Sequence, residues 1–104
     1  LTNQTFLGYP VYRKVIDFGA LPDGTGPHMV EHGISTPFRV TSLYGTTLNT
    51  TTGSGKTLPD AEMPSYGYLV RLGYNNTGIV VTAGRNESAF NQTYITIEYI
   101  KADL

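Results

Sequence analysis

Two short stretches carry residue types and spacings that could do chemistry. The first, Thr51–Asp60 (TTGSGKTLPD), contains Gly-Ser-Gly-Lys-Thr, which is most of a phosphate-binding P-loop. That motif needs a glycine, four intervening residues and then Gly-Lys-Ser/Thr, with a helix following whose first amides face the phosphate. Thr50 stands where the glycine is needed, and Leu58-Pro59 cannot continue as that helix. The stretch is therefore predicted to be an exposed loop rather than a nucleotide site.

The second stretch, His28–His32 (HMVEH), matches the His-x-x-Glu-His signature of a class of zinc protease. On a helix the two imidazoles would share a face, with the glutamate beside them. Gly26-Pro27 and Gly33 leave too few residues for a stable helix. On a strand the two histidines would stand ~13 Å apart, which is too far for one metal ion. We expect a pair of histidines on a β-edge and no metal site.

Acidic residues and serines give no catalytic pattern. Asp23, Asp60, Glu62 and Glu87 all fall in predicted loops, where two could converge as a glycosidase pair, but no spacing selects such a pair. No serine is surrounded by a nucleophile-elbow sequence. The chain is therefore predicted not to be an enzyme, with no catalytic residue and no cofactor.

Eight tyrosines exceed what one small core would bury comfortably. Tyrosine presents a flat apolar face with a polar tip, which suits sugar stacking and protein interfaces. Core and subunit-interface packing explains most of them. Tyr66 and Tyr68 flank Gly67 where a long loop rejoins the sheet, so they are the better recognition candidates.

Composition restricts the partners. The chain has 104 residues, enough for one domain, and its net charge of -1 with 14% charged residues gives no basic surface for nucleic acid or anionic lipid. It has no cysteine and no apolar run of the ~20 residues that a membrane-spanning helix needs. Because the chain begins with Leu1, we expect residues 1–104 to be a single domain taken from a longer protein.

Asparagine lies two residues before Ser or Thr at five positions, which would be glycosylation sequons in a secreted eukaryotic protein. They are Asn3, Asn49, Asn75, Asn86 and Asn91. With no cysteine in the chain, the favoured interpretation is that these asparagines form turns.

Short segments of alternating or continuous apolar residues, separated by turn signals, predict six strands and no long helix. The strands are Tyr9–Gly19, His28–His32, Pro37–Thr46, Tyr66–Tyr74, Ile79–Ala83 and Thr93–Ile100. In the third strand, Phe38, Val40 and Tyr44 are predicted to share one face. A long polar insertion, Thr47–Ser65, is predicted to lack regular structure. The fold class is an all-β antiparallel sandwich, or a barrel-like variant of it.

Both ends of the chain resemble a domain found at the C-terminal end of tail fibres, tail spikes and other tail proteins of tailed bacteriophages. The opening PVYRKVIDFGALPDGTGPHMVEHGIS is similar to the family's "(I/V)YRKVIDFGALPN" strand and turn with its later "HGI" strand. The closing YITIEYIKADL is similar to its final strand, "YVTIEYTK". The middle, Tyr44–Asn91, matches no pattern of the family. The resemblance implies a β-structured tip module in the virion, forming a homotrimer that attaches to a host surface, and it supplies no catalytic residues.

Strand parity predicts where recognition would occur. If six strands alternate in direction, both termini lie at one end and the loops Leu21–Gly26, Thr47–Ser65 and Gly84–Gln92 gather at the other. Loops on a rigid scaffold often carry recognition. The candidate binding residues there are Asp23, Lys56, Asp60, Tyr66, Tyr68, Arg85 and Asn86. The expected partner is a host-surface glycan or protein receptor. A trimer-closing cap without receptor contact and a polysaccharide depolymerase remain alternatives.

Overall fold

The computed structural model describes residues 1–24, 26–61, 69–84 and 86–102. Within these ranges every regular element is a β-strand, and no helix could span a membrane. The strands are β1 (Thr5–Phe6), β2 (Tyr9–Pro10), β3 (Tyr12–Gly19), β4 (His28–Glu31), β5 (Arg39–Leu48), β6 (Gly55–Leu58), β7 (Asp60–Ala61), β8 (Leu69–Tyr74), β9 (Gly78–Ala83) and β10 (Gln92–Ile100).

Eight of these strands form two four-stranded antiparallel sheets. Sheet I has the order β3-β10-β5-β6, and sheet II has the order β4-β9-β8-β7. The remaining two, β1 and β2, form a separate hairpin whose turn has positive φ at Leu7 (51°) and Gly8 (84°). The predicted all-β antiparallel sandwich is confirmed, and each of the six predicted strands has a counterpart. Residues 66–68 of the fourth lie outside the described residues.

The polar insertion is the main correction to the predicted organisation. It was expected to be irregular from Thr47 onward, but β5 continues to Leu48 and β6 pairs with it from Gly55 to Leu58. The connecting turn is closed by Asn49, whose side-chain oxygen accepts the N–H groups of Thr51 and Thr52 at 3.0 and 3.2 Å. Four of the ten residues of the P-loop-like stretch, Gly55–Leu58, therefore form an edge strand, because strand pairing outweighs the weak β-propensity of Gly and Lys.

The inner faces of the two sheets form the core. Ile95 and Ile97 in the central strand β10 are fully buried, as the alternation of Thr93–Ile100 predicts, and so are Ile79 and Val81 in β9. Further core members are Ile16, Phe18, Leu21, Ile34, Leu58, Val70 and Ala83. Gly45 lets β5 approach β10 closely, since a Cβ at this position would lie 2.7 Å from Ile95 Cδ1.

One predicted strand face is wrong. Tyr44 is exposed, whereas Val40 and Leu43 both pack against the core. The cause is an irregularity in the β5–β10 register, where Glu98 pairs with Ser42 but Tyr99 pairs with Val40. A β-bulge of this kind inserts one residue and reverses the alternation beyond it.

The first and last described residues, which we call the chain ends, lie at the same end of the sandwich. The N–H of Thr2 donates to the carbonyl of Val11 at 2.8 Å, just before β3 begins. Val11, Ile100 and Ala102 form a small second cluster where β10 ends.

Candidate functional site

The strand register brings three connections together at the opposite end. Gly19 pairs with Thr93 and Leu48 with Gln92, so β3 and β5 end where β10 begins. The described residues of these connections, 20–24, 26–27, 49–54, 84 and 86–91, therefore meet there, as strand parity predicted, with the second connection shorter than expected. We call these three segments the loop end.

Backbone hydrogen bonds join the first and third segments. The N–H of Leu21 donates to the carbonyl of Phe90, and the N–H of Glu87 donates to the carbonyl of Pro22, both at 3.0 Å. Leu21 and Pro22 are buried, which anchors this segment in the sandwich. The two segments thus form one surface rather than independent loops.

Asn91 joins the second segment to the third. Its backbone N–H donates to the carbonyl of Leu48 at 3.1 Å. Its side chain accepts the N–H of Thr50 at 3.2 Å and donates to the hydroxyl of Thr50 at 2.9 Å. These bonds hold the β5–β6 turn against the end of the β9–β10 connection.

A buried ion pair lies beneath the loop end. Lys56 in β6 donates from Nζ to Glu87 Oε2 at 3.3 Å, and Nζ lies 4.6 Å from the centre of the Phe90 ring. The Lys56 side chain is 19% exposed and that of Glu87 only 2%. Lys56, predicted to be a binding residue in an exposed loop, therefore compensates a buried carboxylate, which suits a role in fixing the β9–β10 connection.

Three of the five asparagines in Asn-x-Ser/Thr positions, Asn49, Asn75 and Asn86, form turns, as the favoured interpretation predicts. The side-chain oxygen of Asn49 accepts the N–H of Thr51, that of Asn75 accepts the N–H of Thr77, and that of Asn86 accepts the N–H of Ser88, at 2.9–3.0 Å. In each case the donor is the residue two positions on, which is the geometry of an Asx-turn. This local bonding gives the exposed turns of the loop end a defined backbone.

The predicted binding residues fall into three groups. Asp23 and Asn86 are exposed on the first and third segments of the loop end. Asp60 lies in β7 opposite Val70, and Val70 also pairs with Ala83 where β9 ends, so Asp60 belongs to the same end of the molecule. Lys56 is the inward lysine described above. Tyr66, Tyr68 and Arg85 lie outside the described residues.

Sequence reasoning did not identify the residues that organise this end. Glu87 was considered only as a possible catalytic acid, and Asn91 and Thr50 were not singled out for inter-loop contacts. A usable signal was present for Glu87, since the single acid of this connection requires a partner if it is buried. Nothing local identifies Thr50 as the partner of Asn91, because the two are joined only through strand pairing.

The histidine pair differs from the expected pair on one strand. His28 is exposed in the edge strand β4, whereas His32 follows that strand and is buried. Its Nδ1 accepts the N–H of Ile34 at 3.0 Å, so the proton sits on Nε2, which donates to the carbonyl of Asn75 at 2.9 Å. His32 thus links the segment that follows β4 to the turn between β8 and β9. Among the described residues no group of three or more His, Asp or Glu side chains could hold a metal ion.

The outer face of sheet I carries one compensated charge pair. Arg13 Nε and Nη2 each lie 2.7 Å from Glu98 Oε2. The hydrogen bond that Arg13 donates to Glu98, and then the negative charge of Glu98, raise the pKa of Arg13 above its ordinary value. Arg13 is therefore paired with a carboxylate and does not make this face basic.

Comparison with known proteins adds no relative. No protein-family model, no curated protein and no solved structure matches the chain.

Proposed function

We propose that the chain is a non-catalytic attachment module at the tip of a bacteriophage tail fibre, contacting a host-surface glycan through the loop end. The observation that carries the proposal is the convergence of three polar connections at the end of the sandwich opposite both chain ends. A fibre shaft joined at the chain ends would leave this surface facing away from the particle. The similarity of the opening and closing segments to tail-fibre tips supports the same role.

The chemistry of the loop end suits sugar hydroxyls. Asp23 supplies a carboxylate and Asn86 an amide, and both are exposed. The second and third segments add exposed residues with hydroxyl groups, Thr50, Thr51, Thr52 and Ser88. The carboxylate accepts hydrogen bonds, and the amide and hydroxyl groups both donate and accept them, so the set can pair with the hydroxyls of a polyol.

A rigid loop end that is repeated in three subunits could hold a glycan through weak contacts at each single site. The Asn91 contacts and the Lys56–Glu87 pair hold the segments in place before binding, which reduces the entropy lost on association. We propose that the module acts as a homotrimer in the virion. Three equivalent sites on one appendage would then raise the overall avidity well above the affinity of a single site.

Binding to bacteria tests the proposal. The fluorescently labelled chain is applied to a panel of bacterial strains and bound fluorescence is measured by flow cytometry. The double variant Asp23→Ala/Asn86→Ala is expected to lose about tenfold or more of its affinity for a bound strain, equivalent to ~1.4 kcal/mol. The matched control Asn3→Ala/Gln4→Ala alters exposed polar residues at the opposite end and should bind normally.

The remaining roles give different results. A trimer-closing cap would trimerise in sedimentation experiments but bind no strain. A depolymerase would release new reducing ends from the surface polysaccharide of a bound strain. Unchanged binding by Asp23→Ala/Asn86→Ala, with the fold intact by circular dichroism, would contradict recognition by these residues.

A further inference from the structure

A second surface feature lies on strands rather than loops. The outer face of sheet I holds a shallow depression of about 470 Å³ between β10, β5 and β6. Its outward side chains and open floor come from Thr46, Leu48, Gly55, Thr57, Gln92 and Tyr94. The volume falls in the range of ~300–1,000 Å³ typical of small-molecule sites.

The register explains why these residues share one face. Tyr94 pairs with Thr46, which pairs with Thr57 on its other side. In the next row Gln92 pairs with Leu48, which pairs with Gly55. Gly55 contributes no side chain, so the outer row stays open beside Leu48.

The burial pattern confirms the outward direction. Thr47 and Thr93 alternate with these positions and are buried, with their hydroxyls 2.8 Å apart. Tyr94 is 41% exposed, and Thr46, Thr57 and Gln92 are exposed as well. The depression therefore presents an accessible tyrosine beside two hydroxyls and one amide.

The outward-facing side chains of the depression are uncharged. Lys56 also borders it, but its ammonium group contacts Glu87 and the Phe90 ring. Nothing in the outward set favours an anion or a cation. An aromatic surface flanked by groups that both donate and accept hydrogen bonds matches the apolar C–H faces and hydroxyls of a pyranose ring.

We propose that this face of sheet I binds an uncharged oligosaccharide, with Tyr94 as the stacking surface and Thr46, Thr57 and Gln92 as hydrogen-bonding groups. The proposal rests on the proposed function in taking a glycan as the ligand, but it names a different site from the loop end. Its position beside the β5–β6 turn would let one glycan chain continue from the loops onto the sheet.

The test is a titration of the isotopically labelled chain, followed by two-dimensional NMR. The probes are three neutral hexasaccharides (cellohexaose, maltohexaose and hexa-N-acetylchitohexaose) and one acidic hexasaccharide, hexamannuronate. At least one neutral probe should shift the amide signals of Thr46, Thr57, Gln92 and Tyr94 saturably, and hexamannuronate should not.

Variants assign the binding to the tyrosine ring. Tyr94→Ala should weaken binding of the neutral probe about tenfold or more, whereas Tyr94→Phe, which keeps the ring, should stay within about threefold of the original affinity. Tyr9→Ala is the matched control, because Tyr9 is also 41% exposed but lies in the hairpin near the chain ends. It should bind normally.

Three results would overturn the proposal. These are no saturable shift on this face with any neutral probe, equal affinity of the Tyr94→Ala variant, and a smaller sedimenting species for Tyr94→Ala, which would make this face an interface between copies. Each differs from failure of the proposed function. If Asp23→Ala/Asn86→Ala loses binding and Tyr94→Ala does not, the loop end is retained as a binding site and the sheet site is not. If Tyr94→Ala loses binding and Asp23→Ala/Asn86→Ala does not, only the sheet site is retained.

Discussion

The Lys56–Glu87 pair predicts an unequal response to removal of its two partners. Lys56→Met removes the ammonium group and leaves a carboxylate whose side chain is only 2% exposed. Glu87→Gln removes the carboxylate but keeps an oxygen that can accept from Lys56, whose side chain is 19% exposed and can reach water. The burial of the acid therefore determines which loss is worse.

The expected magnitudes follow from that difference. Breaking a buried ion pair from one side costs ~3–5 kcal/mol, so Lys56→Met should lower the free energy of unfolding by about 3 kcal/mol. Glu87→Gln should lower it by about 1 kcal/mol, because a neutral hydrogen bond replaces a charged one. The double variant Lys56→Met/Glu87→Gln should be more stable than Lys56→Met alone, since a buried neutral amide costs less to remove from water than a buried carboxylate that has lost its lysine.

Urea unfolding at pH 7, followed by circular dichroism, measures all four proteins. Two-state transitions with equal slopes would allow the free energies to be compared directly. The reasoning is refuted if Glu87→Gln destabilises the chain as much as Lys56→Met. It is refuted equally if the double variant is no more stable than Lys56→Met.

Three further predictions concern the loop end and the core. Asn91→Ala should reduce stability by about 1–2 kcal/mol through its lost bonds to Thr50, and should accelerate amide exchange in segment 49–54. Ile95→Ala should reduce stability by about 2–5 kcal/mol in urea unfolding, whereas Val15→Ala, at 60% exposure on the same sheet, should change it by less than about 0.5 kcal/mol. Thr93→Val should cost about 1–3 kcal/mol because it leaves the buried Thr47 hydroxyl without its partner, and Thr47→Val/Thr93→Val should recover most of that loss in the same assay.

Each of these three predictions has a result that would contradict it. Unchanged amide exchange in segment 49–54 of the Asn91→Ala variant would mean that the Asn91 side chain does not order this segment. Equal effects of Ile95→Ala and Val15→Ala would contradict the inward direction of Ile95. A double threonine variant less stable than Thr93→Val would mean that the hydroxyl pair is not the source of the cost.

Strand alternation made the central part of the fold predictable. In β10 the isoleucines at 95 and 97 are buried and Tyr94 is exposed, because period-two patterning survives where a strand has a core on one side only. The same logic failed in β5, where the bulge reverses the faces between Val40 and Tyr44. A bulge leaves no local signal in the sequence, so alternation could not reveal it.

The loop end, like the strands, was predictable from the sequence only in part. Strand parity placed the connections, and the turn-forming tendency of asparagine described their local bonding. The inward turn of Lys56 was not predictable, because it depends on a buried acid brought from a different connection. Likewise, β6 forms only because β5 provides an edge for Gly55–Leu58 to pair with.

The central claim is that the loop end touches the host surface. The most direct measurement uses surface polysaccharide extracted from a strain that the chain binds, added to the isotopically labelled chain, with the loss of amide signal mapped by NMR. The proposed function predicts attenuation in segments 20–24, 49–54 and 86–91, with residues 2–10 and 100–102 unaffected. Attenuation confined to the residues near the chain ends, or none at either end, would contradict it.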